Sequence, residues 1–494
     1  MIRVNTIELK FIHFINFSDD LQGIAYLVGR LLIFHFMKKQ LYRLLLVFFI
    51  IPTSLFTQTA WNAYELNANH TTDWLEKNLI PKTTYEPFPA KSNRIFWDAV
   101  PTEIRTEWIE KAENVLKDDW KAFSIIQFMD YVRNGNRTHY EATLYERRIR
   151  VTTLLLAELL ENKGRFTDEL LNGVWLILEE TYWGVPAHLP GTGIPNAEDP
   201  IIDLFAAQTG QLLSWVYYFM QEDLDDINPL INRRIQLEMN RKLLNPYLLR
   251  SDFWWMGLRA DRAIVNNWNP WINSNILTAA LFFAPETHRS AIINKVLLSL
   301  DRFLAPYPND GGCDEGPGYW GHAAGSLFDC LEHLHSATAG KIDYYQHPLI
   351  KNMATYVYKA SITPEFTVNF ADAAAKANFS GGLVYRFGER IQDKDMMAFG
   401  AYYYNRPNDI KRSQSWDVFR LLSDMSKHQA IRKLGGNPIL TKDVWLPNLQ
   451  VMAARSQAND TKGYYLAAKG GHNNESHNHN DVGQFIFSKM GNRF

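Results

Sequence analysis

Hydrophobic period, more than any single motif, limits what this chain can become. From about Trp97 to Met425 apolar residues recur every three or four positions, the signature of amphipathic helices. Trp108, Ala112, Val115 and Leu116 fall on one helical face, and Leu144, Val151, Leu155 and Leu159 repeat the pattern ahead of Gly164. Further helical segments cover about 167–181, 200–221, 228–244, 272–283, 287–304, 320–339, 346–360 and 414–433. Short loops rich in Pro, Gly and Asn separate them, which favours antiparallel neighbours. The spacing predicts roughly ten to twelve helices. Near Thr441 the period drops to two. Leu449–Ser456, Tyr464–Ala468 and Gln484–Ser488 are short, alternating and bounded by Gly, Asn and Asp, which are strand signals. The expectation is an α+β multidomain chain, helical over 61–440 and antiparallel β over 441–494. Three strands cannot cover both faces of a sheet, so the second domain is expected to be incomplete and the chain a fragment cut inside it.

The first 60 residues read differently from the rest. Met37–Arg43 is a basic stretch, Leu44–Ile51 is apolar, Leu55-Phe56 extends it past Pro52, and Thr57–Ala60 is small and polar. That order predicts a secretory signal peptide over 37–60. Residues 1–36 are then expected to be an upstream extension from a misplaced start codon. The apolar run is short of the ~20 residues a membrane span needs, so no stable membrane insertion is expected. A periplasmic or secreted protein follows.

Charge excludes one class of partner. The 494 residues carry a formal net charge of −2; residues 1–60 hold six Lys/Arg against three Asp/Glu, so the remainder carries −2 − 3 = −5. Nothing here has the basic balance of a nucleic-acid-binding surface. The two cysteines, Cys313 and Cys330, make neither a disulfide framework nor a CxxC site, and two free buried thiols are expected. The 15 Trp and 23 Tyr suit a cleft in which rings stack on sugars, although large helical proteins also bury aromatics.

Polar and aromatic residues crowd into three places. Gly470–Gly483 reads GGHNNESHNHNDVG. On an extended backbone His477 and His479 point to the same side, because side-chain direction repeats every two residues. Two adjacent imidazoles suggest a base or a metal ligand; the plain alternative is a polar turn. Asn266–Asn275 reads NNWNPWINSN just ahead of a helical segment, where asparagine could bind a polar ligand or Asn273 and Ser274 could merely cap the helix. Gly311–His322 reads GGCDEGPGYWGH, a glycine-rich loop expected to enter a helix at Tyr319 or Trp320. Tyr319 would then sit in the first turn, where amide dipoles favour a phenolate. A weaker fourth stretch, Glu179–His188, ends another helix and could line a subsite.

NNWNPWINSN, DEGPGYW and ESHNHNDVG, in that order and ahead of a β-region, resemble the heparinase II/III group of polysaccharide lyases. The chain is also similar to the exo-acting alginate lyases of the same architecture. The resemblance spans about Trp97 to Phe494 and implies an incomplete (α/α) toroid over 61–440, followed by the start of an antiparallel β-sandwich, with the active site between them. It implies β-elimination at a uronic acid, in which a base removes the C5 proton, donors neutralise the carboxylate and an acid protonates the departing O4. Matched by motif, Tyr319 would be the acid, His477 the base or its partner, and Asn267 with Asn266 the carboxylate neutralisers. Asn269, Trp268, Trp271, His188, Glu315 and His472 would contact substrate. His479 matches a position that binds a structural zinc in some members, whose remaining ligands would lie beyond Phe494; no cofactor is required for the chemistry. The partner would be an acidic polysaccharide or oligosaccharide.

Two rivals stand beside this reading. A glycoside hydrolase could use Asp314 or Glu315 as general acid, but it needs a second carboxylate roughly 5–9.5 Å away, and the sequence offers no convincing one. A non-catalytic carbohydrate-binding surface protein would not need Tyr319 and His477 to converge.

Overall fold

The computed structural model describes residues 61–494 apart from 63–64, 190, 192, 260–263, 377, 407–414, 474–476, 478, 480–481, 490–491 and 494. The expected signal peptide at 37–60 and the extension at 1–36 lie outside the described residues. Helices run from Glu65 to Leu434, and a small antiparallel sheet follows. Thr59–Phe494 forms one compact unit. Among the described residues no helix is long and apolar enough to cross a membrane.

The helix Trp268–Phe283 is central. All but two of its residues are buried, and it packs against the helices Leu204–Ile227, Glu286–Leu304 and Ala324–Ala337. Burial on every side explains why it has no apolar stripe, and its buried polar side chains are hydrogen-bonded, as Asn269 is to Trp255 O and Asn273 to Ser299 Oγ. Its first turn carries the asparagine- and tryptophan-rich stretch, so core packing fixes where those residues sit. The N-terminus of Leu204–Ile227 is capped by Asp203, which accepts the amide of Ala206 at 2.7 Å. Asp417 does the same for Val418–Leu434.

Among the helices not expected from the period are Ile125–Asn134, Gly381–Ile391 and Lys394–Tyr404. The last two lie side by side. They form an antiparallel pair that meets at glycines. A Cβ on Gly381 would lie 2.2 Å from Tyr404 N, and one on Gly400 2.4 Å from Tyr385 N. These glycines, which permit the close approach, interrupt the apolar period that would mark a helix. The helix expected at Tyr319 or Trp320 begins instead at Ala324, and the residues before it form consecutive turns.

The sheet is a meander of order β1 (Asp443–Leu446), β2 (Val451–Arg455), β3 (Tyr464–Lys469), β4 (Phe485–Lys489) and β5 (Asn492–Arg493). β2, β3 and β4 are the strands the alternation predicted; β1 and β5 are additional. Val451, Ala453 and Arg455 of β2 face inward with Tyr465, Ala467 and Lys469 of β3. Arg455 crosses to the helical part, donating to the carbonyls of Ser361 (2.7 Å) and Ile362 (3.0 Å). Asp310 ties the turn before β2 to the glycine-rich loop, accepting the amides of Asn448 (2.7 Å) and Leu449 (3.0 Å). Gly311 follows at φ 77°, and a Cβ there would lie 2.1 Å from the carbonyl carbon of Asn352. Only glycine meets both demands. Cys313 and Cys330 are buried free thiols.

Candidate functional site

A cleft of about 490 Å³ opens beside the glycine-rich loop, lined by Trp271, Tyr319, His322, Asp372, Lys376 and Arg420 among others. Two of its lining residues, Tyr319 and Asp372, adjoin a polar cluster of His477, Glu315 and Asn267, drawn from stretches distant in sequence.

Tyr319 is fixed by consecutive turns. Its amide donates to Gly316 O at 3.2 Å, and its carbonyl accepts from His322 and Ala323 at 2.9 Å each. It lies ahead of the helix, so no first-turn dipole acts on the hydroxyl. Burial, reinforced by the carboxylates of Asp372 and Glu315, pushes the phenol above the ordinary tyrosine range. The phenolate expected from a helix start is therefore corrected to a protonated hydroxyl. Such a group is a proton donor near neutrality.

His477 faces Tyr319, with ring centroids 5.5 Å apart and planes tilted by 31°. Its Nε2 lies 3.0 Å from Glu315 Oε2, and its Nδ1 is hydrogen-bonded to Asp372 Oδ2. The backbone at His477 itself is left-handed, φ 54°, not the extended conformation that would align alternate side chains. His477 and His479 nevertheless converge, because Asp372 holds both: His479 Nε2–H donates to Asp372 Oδ1 at 2.6 Å. The histidines help hold the Asp372 carboxyl below the usual range.

Asn267 is 3% exposed and donates its side-chain amide to Glu315 Oε2 at 2.6 Å. Glu315 is itself only 1% exposed, and burial raises its carboxyl above the ordinary range. The substrate contact expected of Glu315 is therefore corrected to an internal one, between Asn267 and His477. Asn266 accepts the amide of Trp268 at 3.1 Å, an Asx turn that starts the helix.

The remaining expected residues divide. Trp271 lines the cleft and stacks on His322, centroids 3.9 Å apart. Trp268 and His188 pack together at 4.6 Å, and His188 Nδ1 is held by Asp203 Oδ2 at 2.8 Å. Asn269 is fully buried and donates to the carbonyls of Trp255 (2.9 Å) and Ser299 (3.0 Å), so it is a packing residue and not a substrate contact. His472 is exposed in the segment after β3. Asp372, Lys376 and His322 were not singled out by sequence reasoning. Asp372 and Lys376 sit between the helices Pro348–Lys359 and Gly381–Ile391 in a stretch without a motif, and no local signal marks them. His322 closes the glycine-rich stretch, and its place beside Tyr319 was the signal available.

Among the described residues no group of three or more His, Cys, Asp or Glu side chains is arranged to hold a metal ion. His479, the residue matched to the zinc position, is turned to Asp372. No family model matches the chain, and no curated protein matches it significantly.

Proposed function

We propose that this chain is a polysaccharide lyase of the heparinase II/III kind, built on an (α/α) toroid and exported to the periplasm or beyond the cell. Its substrate is a polysaccharide or oligosaccharide containing uronic acid. The observation that carries the reading is the approach of His477 to Tyr319, a residue of the cleft wall, 5.5 Å between rings that are far apart in the sequence. A carbohydrate-binding surface needs no such pairing of a proton donor with an imidazole.

In this reading Tyr319, held protonated by its surroundings, gives its proton to the departing O4. His477 accepts the C5 proton. Its Nδ1 partner Asp372 lines the cleft and is partly exposed, whereas its Nε2 neighbour Glu315 is buried. Substrate therefore displaces Asp372, which carries off the Nδ1 proton, and takes the bared Nδ1 side, while Nε2–H stays on Glu315. An asparagine amide carries two hydrogens; one of Asn267 goes to Glu315 and the second serves the substrate carboxylate. Lys376, exposed on the cleft wall, is a cation suited to an anionic chain. The burial of Glu315 argues against the hydrolase, since a general acid must reach a glycosidic oxygen. The test is a panel of acidic polysaccharides, scored by the ultraviolet absorbance of the unsaturated product. Absorbance rising on at least one glycan is expected; a panel without any rise refutes the proposal.

A further inference from the structure

We propose that Glu315 is a positioning residue that joins Asn267 and His477 through one carboxylate oxygen, and that the site depends on this join. The inference rests on the lyase reading for its kinetic consequence and on geometry alone for the join itself. Oε2 of Glu315 receives the Asn267 amide at 2.6 Å and lies 3.0 Å from His477 Nε2. Oε1 is 3.5 Å from the Asn267 backbone nitrogen. One side chain thereby ties the turn ahead of the Trp268–Phe283 helix to the connection between β3 and β4. These parts of the fold are otherwise placed by different packing: the first by the helical core, the second by the sheet.

The burial of Glu315 sets its role. Its carboxylate is taken up by Asn267 and His477, so it acts through the two residues it holds. A carboxylate removed from water is costly unless donors satisfy it. The Asn267 amide and the His477 ring are the donors turned toward it, so the three side chains form one mutually dependent unit. The loop that presents Glu315 is also the loop that presents Tyr319, through the turns at Gly316 and Tyr319. Glu315 therefore sets the base and the neutralising amide in register with the acid four residues along its own loop.

Residues that work as a unit lose activity non-additively. Glu315→Gln keeps the shape and an acceptor for Asn267 but removes the charge beside His477. The expected result is a kcat lowered ~10–100-fold, the usual scale for partners that orient a functional group, with KM changed less than about threefold. Asn267→Ala and the double variant Glu315→Gln/Asn267→Ala complete a cycle. The double variant should lose little beyond the more damaging single change. Imidazole nitrogen resonances of His477, assigned with His477→Gln in the full chain, give a readout that needs no turnover. They should move in Glu315→Gln while the melting temperature stays within a few degrees. Unmoved His477 resonances, or single losses that multiply in the double variant, overturn the inference. Moved resonances in a protein that makes no unsaturated product refute the lyase reading and leave the join standing.

Discussion

Replacing Tyr319 by phenylalanine isolates the proton donor from everything else at the site. Among the described residues no hydrogen-bond partner is present for the Tyr319 hydroxyl, so the change breaks no protein contact. The ring stays, and with it the packing against His477 at 5.5 Å and His322 at 6.4 Å. Stability should therefore shift by no more than ~0.5 kcal/mol, the scale of a surface substitution. Activity should behave otherwise. A positioned general acid contributes ~10²–10⁴-fold, equivalent to ~3–5 kcal/mol of activation free energy. Because burial and two carboxylates raise the phenol, the donor stays protonated past the ordinary tyrosine range. Loss of the donor form in the wild type should appear only above pH ~10. The assay is initial rate of ultraviolet absorbance on the best glycan, with urea unfolding of both proteins alongside. A variant that unfolds with the wild type and still turns over at more than about a tenth of its rate removes Tyr319 from the chemistry, since a general acid at even the low end of its range would cost more.

Three further outcomes follow from particular contacts. Asn269→Ala leaves the carbonyls of Trp255 and Ser299 without their donor, so it should cost on the order of 3 kcal/mol of stability, read by urea unfolding, and should not change KM. Gly311→Ala should cost ~2 kcal/mol or more, because it strains a positive φ and drives a Cβ into Asn352; a melting temperature equal to wild type contradicts the close approach. His333 is fully buried between Thr278 and Phe419, and burial lowers its pKa from 6.5 to about 3, so the folded state binds its proton more weakly than the unfolded state. Its contribution is present above pH 6.5 and is lost as pH falls through 3, on the order of 5 kcal/mol at the limit. His333→Gln should lack that acid-side loss in unfolding measured across pH 7 to ~3.

Much of this architecture is legible in the order of residues, for a physical reason. Long amphipathic runs such as Leu204–Ile227 and Glu286–Leu304 announce themselves because one face must be buried. The pair Gly381–Ile391 and Lys394–Tyr404 does not, because its glycines serve interhelical contact, a long-range property that looks locally like a turn. The site shows the same division. Tyr319, His477 and Asn267 stand in dense polar stretches and could be picked out singly. That Asn267 reaches Glu315, and that Asp372 gathers His477 and His479, depends on tertiary approach across 48, 105 and 107 residues. Asp372 has no local pattern at all. The expected start of a helix at Tyr319 failed because Gly316 and Gly318 extend the turns to Ala324, and the direction of the tyrosine's pKa reversed with it.

Elimination and hydrolysis differ by one molecule of water, which makes product mass the most direct test of the central claim. The protein is incubated with a uronate oligosaccharide of defined length, and both fragments are weighed by mass spectrometry. The account predicts that the fragment bearing the new non-reducing end is lighter by one water than its hydrolytic counterpart. Two fragments that together carry the added water would contradict it.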